Sequence, residues 1–186
     1  MNILIIDGHP DPSKERFCHA LATTYQKSAE SAGHKVTMIK IADLDIPCLR
    51  SKAEAYSDTL PSKQLEAAQE AIALAEHIVI VYPLWLGDVP AYLKAFLEHV
   101  FSPGIAFDEK MKGKLKNKTA RIIVTMGMPA FFYRWFFWSH SLTSLKRNIL
   151  KFVGIKSIGE TLIGSIETAD HKKWLQAAEK LGHYGI

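Results

Sequence analysis

Two periods of hydrophobic spacing alternate along this chain. Residues 2–7 form a β-branched apolar run of strand length, closed by Asp7. Phe17, Leu21, Tyr25 and Ser28 then recur at helical spacing, and Gly33 sits where a helix C-cap belongs. Residues 35–41 read as a second strand. Pro61 and Ser62 start a helix marked by Leu65, Ala68, Ile72 and Ala75. Residues 78–82 are apolar on both faces, as suits a central parallel strand. Asp88 and Pro90 open a helix carrying Leu93, Leu97 and Val100. Residues 120–125 predict a fourth strand and residues 139–153 a helix ended by Gly154. A fifth strand falls within 157–166, and the last helix covers 169–183. Five βα units without repeat or linker predict one α/β domain over residues 1–186. The expected sheet is five-stranded and parallel, in order 2-1-3-4-5, with helices on both faces.

Composition narrows the function classes. The 186 residues are 48% apolar and 23% charged, so a core can form without covalent staples. The net charge of +4 is spread rather than blocked, which gives no dedicated nucleic-acid surface. Cys18 and Cys48 form no CxxC, and the eight histidines show no paired ligand spacing, so no metal site is expected. The apolar start lacks a basic n-region and stops at Asp7, and no apolar run reaches membrane-spanning length. The expectation is a soluble cytoplasmic protein. Residues 108–118 are lysine-rich and read as a solvated connector, with an anionic partner as the alternative.

A doubly wound sheet binds its ligand beyond the C-terminal strand ends, at the switch point. For this order that means the loops after strands 1, 3 and 4. The first, residues 8–18, turns at Gly8, carries Lys14 and Arg16, and runs into a helix N-terminus, a plausible phosphate cradle. It lacks the Walker pattern, and a capped helix start entered through prolines is the plain alternative. The second loop sets Leu84, Trp85, Leu86 and Gly87 between Pro83 and Pro90, suited to wall a flat heterocycle or to pack under the next helix. The third, Thr125-Met126-Gly127-Met128, runs into residues 131–138, where seven of eight side chains are aromatic. One helix cannot turn seven such neighbours into a single core, so some must face a ligand, a partner subunit or a membrane surface.

Taken together, His9, Phe17-Cys18, Tyr82-Pro83-Leu84-Trp85, residues 101–107, Thr125-Met126-Gly127 and Tyr133 resemble the flavin-dependent NAD(P)H:quinone oxidoreductase family. That family includes DT-diaphorases, modulator-of-drug-activity-type reductases and ancillary flavoproteins of potassium-efflux systems. The resemblance covers most of the chain and implies a flavodoxin-like homodimer binding FAD, with FMN as the alternative. It implies two-electron transfer, as hydride, from NADPH or NADH to a quinone-like acceptor. By position, His9, Arg16, Phe17 and Cys18 would line the flavin phosphate or ribityl region. Pro83, Leu84, Trp85 and Leu86 would contact the ring, and Thr125, Met126, Gly127 and Met128 its other edge. Tyr133 would stand over the flavin as a hydrogen-bond donor. The family's histidine, expected six residues later, is replaced by Ser139, and His140 follows it. Arg16 and Met128 also depart from the family pattern, which favours a small hydroxyl residue and a second glycine there.

Two other readings accompany this one. A one-electron flavodoxin-type carrier fits poorly with a basic chain and a proline-rich first loop. A flavin-binding regulatory subunit docked to a transporter fits the aromatic run.

Overall fold

The computed structural model describes residues 1–57 and 60–186. Five strands form one parallel sheet in the order β2-β1-β3-β4-β5, as the alternation predicts. They are β1 (Asn2–Asp7), β2 (Lys35–Lys40), β3 (His77–Pro83), β4 (Thr119–Thr125) and β5 (Lys156–Ile163). All seven residues of β3 are buried, because the central strand is covered on both faces.

The two-residue side-chain period splits the core in two. On one face Ile3, Ile5, Val79, Val81 and Ile123 pack against α1 (Phe17–Ser31) and the later helix at His171–Tyr184 through Leu21, Tyr25 and Ala178. On the other, Leu4, Ile6, Ile78, Ile80, Ile122 and Val124 meet the remaining long helices. Those are α3 (Lys63–Leu74), α4 (Ala91–Val100) and the helical run from His140 to Val153; a short α2 (Lys52–Ala55) precedes α3. Removing one of these fully buried Ile or Leu side chains to Ala costs about 2–5 kcal/mol.

Three local expectations need correction. The segment 139–153 is not one regular helix. α6 (His140–Ser144) passes through a π-helical turn at Leu145–Leu150 into α7 (Lys151–Val153). A short α5 (Ala130–Trp135) precedes it, hidden from periodicity because nearly every position is aromatic. Asp88 does not begin α4. Its backbone pairs with that of Trp85 in both directions at 2.9 Å, closing a tight turn over Leu86 and Gly87. Both turn residues have positive φ, 49° and 81°, and Pro90 occupies the N-cap of α4. The final helix, α8 (His171–Tyr184), agrees with the sequence pattern.

The lysine-rich connector runs to the N-terminal end of β4, away from the C-terminal rim. There Lys118 donates to the carbonyls of Ala73 and Ala75 at 2.6 Å, tying the end of α3 to the sheet.

Candidate active site

The loops after β1, β3 and β4 meet at one rim. Pro83 pairs with Thr125 across the β3–β4 ladder, and the Leu84 amide donates to the Thr125 carbonyl at 2.8 Å. The Cys18 thiol lies 3.2 Å from the Thr125 hydroxyl, joining the first loop to the third. His9 and Trp85 rings meet edge-on with centroids 5.7 Å apart, joining the first to the second. Burial pushes the Cys18 thiol up to about 12, so it packs as a neutral group rather than reacting as a thiolate.

The first loop is held open by its own side chains. Asp11 Oδ1 accepts from the Ser13 amide at 2.8 Å, and Oδ2 takes the Arg16 guanidinium at 2.6 Å. These bonds, the Ser13 amide first and Arg16 second, hold the Asp11 carboxyl below its ordinary range. Arg16 occupies the N-cap of α1 with no side-chain cap, and among the described residues the Phe17 and Cys18 amides find no backbone acceptor. A positive helix end left uncapped is suited to an anion. Phe17 stacks on His171 at 4.2 Å, which fixes the outer wall.

The second and third loops supply flat walls and free backbone. Trp85 is half exposed and Leu86 fully exposed at the tip of the tight turn. The amides of Leu86, Gly87, Gly127 and Met128 donate to no protein carbonyl among the described residues. Met126 is buried, its amide bonded to Ile163, while Gly127 is open. Arranged around Pro83 and Thr125, these free donors match a planar heterocycle carrying carbonyl oxygens on its edge.

Tyr133 and His140 do not join this shelf. Tyr133 is the buried residue of α5, and its hydroxyl accepts from the Leu142 amide at 3.2 Å, with Ser141 and Tyr82 close by. Burial raises its phenol above the ordinary tyrosine range. His140 stands exposed at the start of α6, and no described contact ties its ring to the three loops. The other six aromatics of residues 131–138 face outward, with Trp135 77% and Trp138 83% exposed. Phe132 and Phe136 stack at 4.9 Å, and Phe137 meets both edge-on at 5.6 and 5.1 Å. Trp138 and Ser139 both adopt left-handed backbone, which turns the arm sharply into α6.

Two contributors escape sequence reasoning. Gly164, just past β5, lies under the third loop: a Cβ there would meet the Ala130 nitrogen at 2.1 Å and the Met128 carbonyl at 2.8 Å. Ser165 and Ile166 donate to Met128 and Met126, so the end of β5 splints that loop. The other is a buried Asp7–His19 contact at 2.5 Å behind the first loop. A strand-end aspartate with a histidine in the next helix was its only trace in the sequence. Among the described residues no cluster of three metal-ligating side chains occurs, and no helix is long and apolar enough to cross a membrane.

This geometry agrees with what the chain resembles as a whole. The profile of the flavodoxin-like fold matches residues 1–184, and the chain belongs to that family, within its flavin-dependent NAD(P)H:quinone oxidoreductases. An uncharacterized NAD(P)H oxidoreductase of Haemophilus influenzae is 30% identical over 92% of this chain and 88% of its own. An FMN-dependent NADH:quinone oxidoreductase of Mycoplasma genitalium is 24% identical over 87% of this chain and 83% of its own. The NAD(P)H:quinone oxidoreductase structure from Methanothermobacter marburgensis superposes with a TM-score of 0.82 at 20% identity, over 98% of this chain and 96% of that one.

Proposed function

We propose that this oxidoreductase binds FMN at the rim and carries two electrons from NAD(P)H to a quinone. The observation that carries the reading is the meeting of three loops around an uncapped α1 N-terminus with unclaimed backbone donors. FMN is preferred to the FAD expected from the sequence because the Mycoplasma relative is named for FMN. The residues present fit that group. The Phe17 and Cys18 amides and Lys14 receive the phosphate, Pro83 to Gly87 wall the ring, and the Gly127 and Met128 amides meet its polar edge. Flavin, when bound, supplies hydride acceptance from NAD(P)H and two-electron delivery to the acceptor. The chain supplies position, a dry wall and hydrogen-bond donors.

Tyr133 acts here as a brace beneath the aromatic arm, joining α5 to α6, and His140 is left as a surface residue of a single chain. A second copy of the chain covering the exposed arm completes the wall of the slot, which makes the working form a homodimer.

Purified chain reconstituted with FMN is expected to turn yellow, quench flavin fluorescence, and oxidise NADPH or NADH with menadione. A chain that binds neither FMN nor FAD and shows no such turnover overturns the reading. Tyr133→Phe is expected to lower melting temperature while leaving flavin content intact; loss of turnover at unchanged stability would restore it to the ring.

A further inference from the structure

Behind the first loop lies a chain of hydrogen bonds that the flavin reading does not use. Asp7, at the end of β1, is fully buried. Its Oδ2 lies 2.5 Å from His19 Nδ1, and His19 Nε2 lies 2.8 Å from the Asp11 carbonyl. A carbonyl oxygen only accepts, so Nε2 carries a hydrogen. Nδ1 faces the buried Asp7 carboxyl group, so both ring nitrogens of His19 are engaged.

The backbone of Asp11 passes this constraint on. Its carbonyl is held by His19, and its amide donates to His9 Nδ1 at 3.1 Å. An amide donor facing Nδ1 requires a lone pair there, so the hydrogen of a neutral His9 sits on Nε2. His9 is kept neutral: burial first, then the neighbouring His19, push it below the ordinary histidine range. The two rings are 5.4 Å apart. Among the described residues His9 Nε2 has no hydrogen-bond partner and is not among the sealed polar atoms, so its N–H is open at the rim beside Trp85. Asp7, His19, the Asp11 backbone and His9 thus run in series from the core to the binding shelf.

We propose that His19 is a positioning residue: clamped between Asp7 and the Asp11 carbonyl, it fixes the first loop and locks His9 as an Nε2–H donor toward a phosphate-bearing flavin. The ligand half of this proposal rests on the flavin reading; the tautomer half stands without it. The second loop contributes Trp85 at the ring edge, and Arg16 is drawn off by Asp11, so neither substitutes for the clamp.

Three forms of the full chain test it. His19→Asn keeps a donor near Nδ1 for Asp7 and loses the one for Asp11. His19→Gln keeps the donor for Asp11. Nitrogen-15 NMR of the histidine rings reads the His9 tautomer without any ligand. Wild type is expected to show Nε2–H alone, His19→Asn a mixture, and His19→Gln the wild-type pattern. Fluorescence titration with FMN and with riboflavin, which lacks the phosphate, reads the shelf. His19→Asn is expected to weaken FMN about tenfold, the equivalent of one hydrogen bond to a charged group, and to leave riboflavin unchanged. His19→Gln restores FMN binding. A wild-type His9 protonated on Nδ1 overturns the proposal whether or not the variants fold. So does a folded His19→Asn whose tautomer and FMN preference match wild type. A wild-type chain that binds no flavin but shows the expected tautomers sinks the flavin reading and leaves the clamp standing.

Discussion

The two ends of the sheet are finished differently. At the N-terminal end every chain entry is stitched. The Lys35, Glu76, Thr119 and Lys156 amides donate to Met1, Asn2, Glu76 and Lys118, and the His77 ring meets Thr119 at 2.7 Å. At the C-terminal end the treatment depends on the strand. The long helices that follow β2 and β5, α3 and α8, have side-chain caps, Ser62 on the Leu65 amide and Asp170 on the Lys173 amide. Those after β1, β3 and β4 begin at Arg16, Pro90 and Pro129 with none. Among the described residues, helix donors are thus left without side-chain caps at the rim where the strand order reverses.

The largest effect expected from this contrast is at the closed end. Burial depresses His77 to about 4, against an ordinary 6.5. As pH falls below 6.5 the unfolded chain takes this proton first, so the His77 contribution drains stability until about pH 4 and then levels. The loss is roughly 3 kcal/mol by urea unfolding, and His77→Leu is expected to flatten that slope. An equal slope in the variant would show that this end does not sense pH through His77.

Next comes the splint beneath the open end. Gly164→Ala pushes a methyl into the backbone of residues 128–130. Overpacking of about 2 kcal/mol would lower flavin affinity close to thirtyfold, read by titration. Unchanged affinity would mean the third loop has no part in binding.

The smallest effects contrast the caps themselves. Ser62→Ala is expected to cost about 1 kcal/mol of stability and leave FMN binding alone. Arg16→Asp should do the reverse, repelling phosphate while leaving the stability of the ligand-free chain little changed, because the new N-cap offsets the lost Asp11 pair. Parallel melting and FMN titrations check both, and matching behaviour of the two variants would erase the distinction between capped and open helices.

Much of this was legible in the sequence, because hydrophobic period is a local signal. The strands announced themselves by β-branched runs, and Ser62 marked its helix. The three rim loops were legible too, since strand order alone brings them together. What escaped has a common cause. Gly164 and the Asp7–His19 pair act through contacts between elements, which spacing does not encode. The aromatic arm defeated periodicity because all its positions look alike, and the inward turn of Tyr133 depends on an amide nine residues away. The turn at Asp88 was misjudged because an aspartate before a proline reads as a helix start, whereas here a left-handed Leu86-Gly87 pair claims its backbone.

The outward-facing indoles of Trp135 and Trp138 make the molecule its own optical gauge. In water they emit toward the red, and anything that settles over them, whether a second subunit or a bound acceptor, shifts that colour toward the blue before any product is formed.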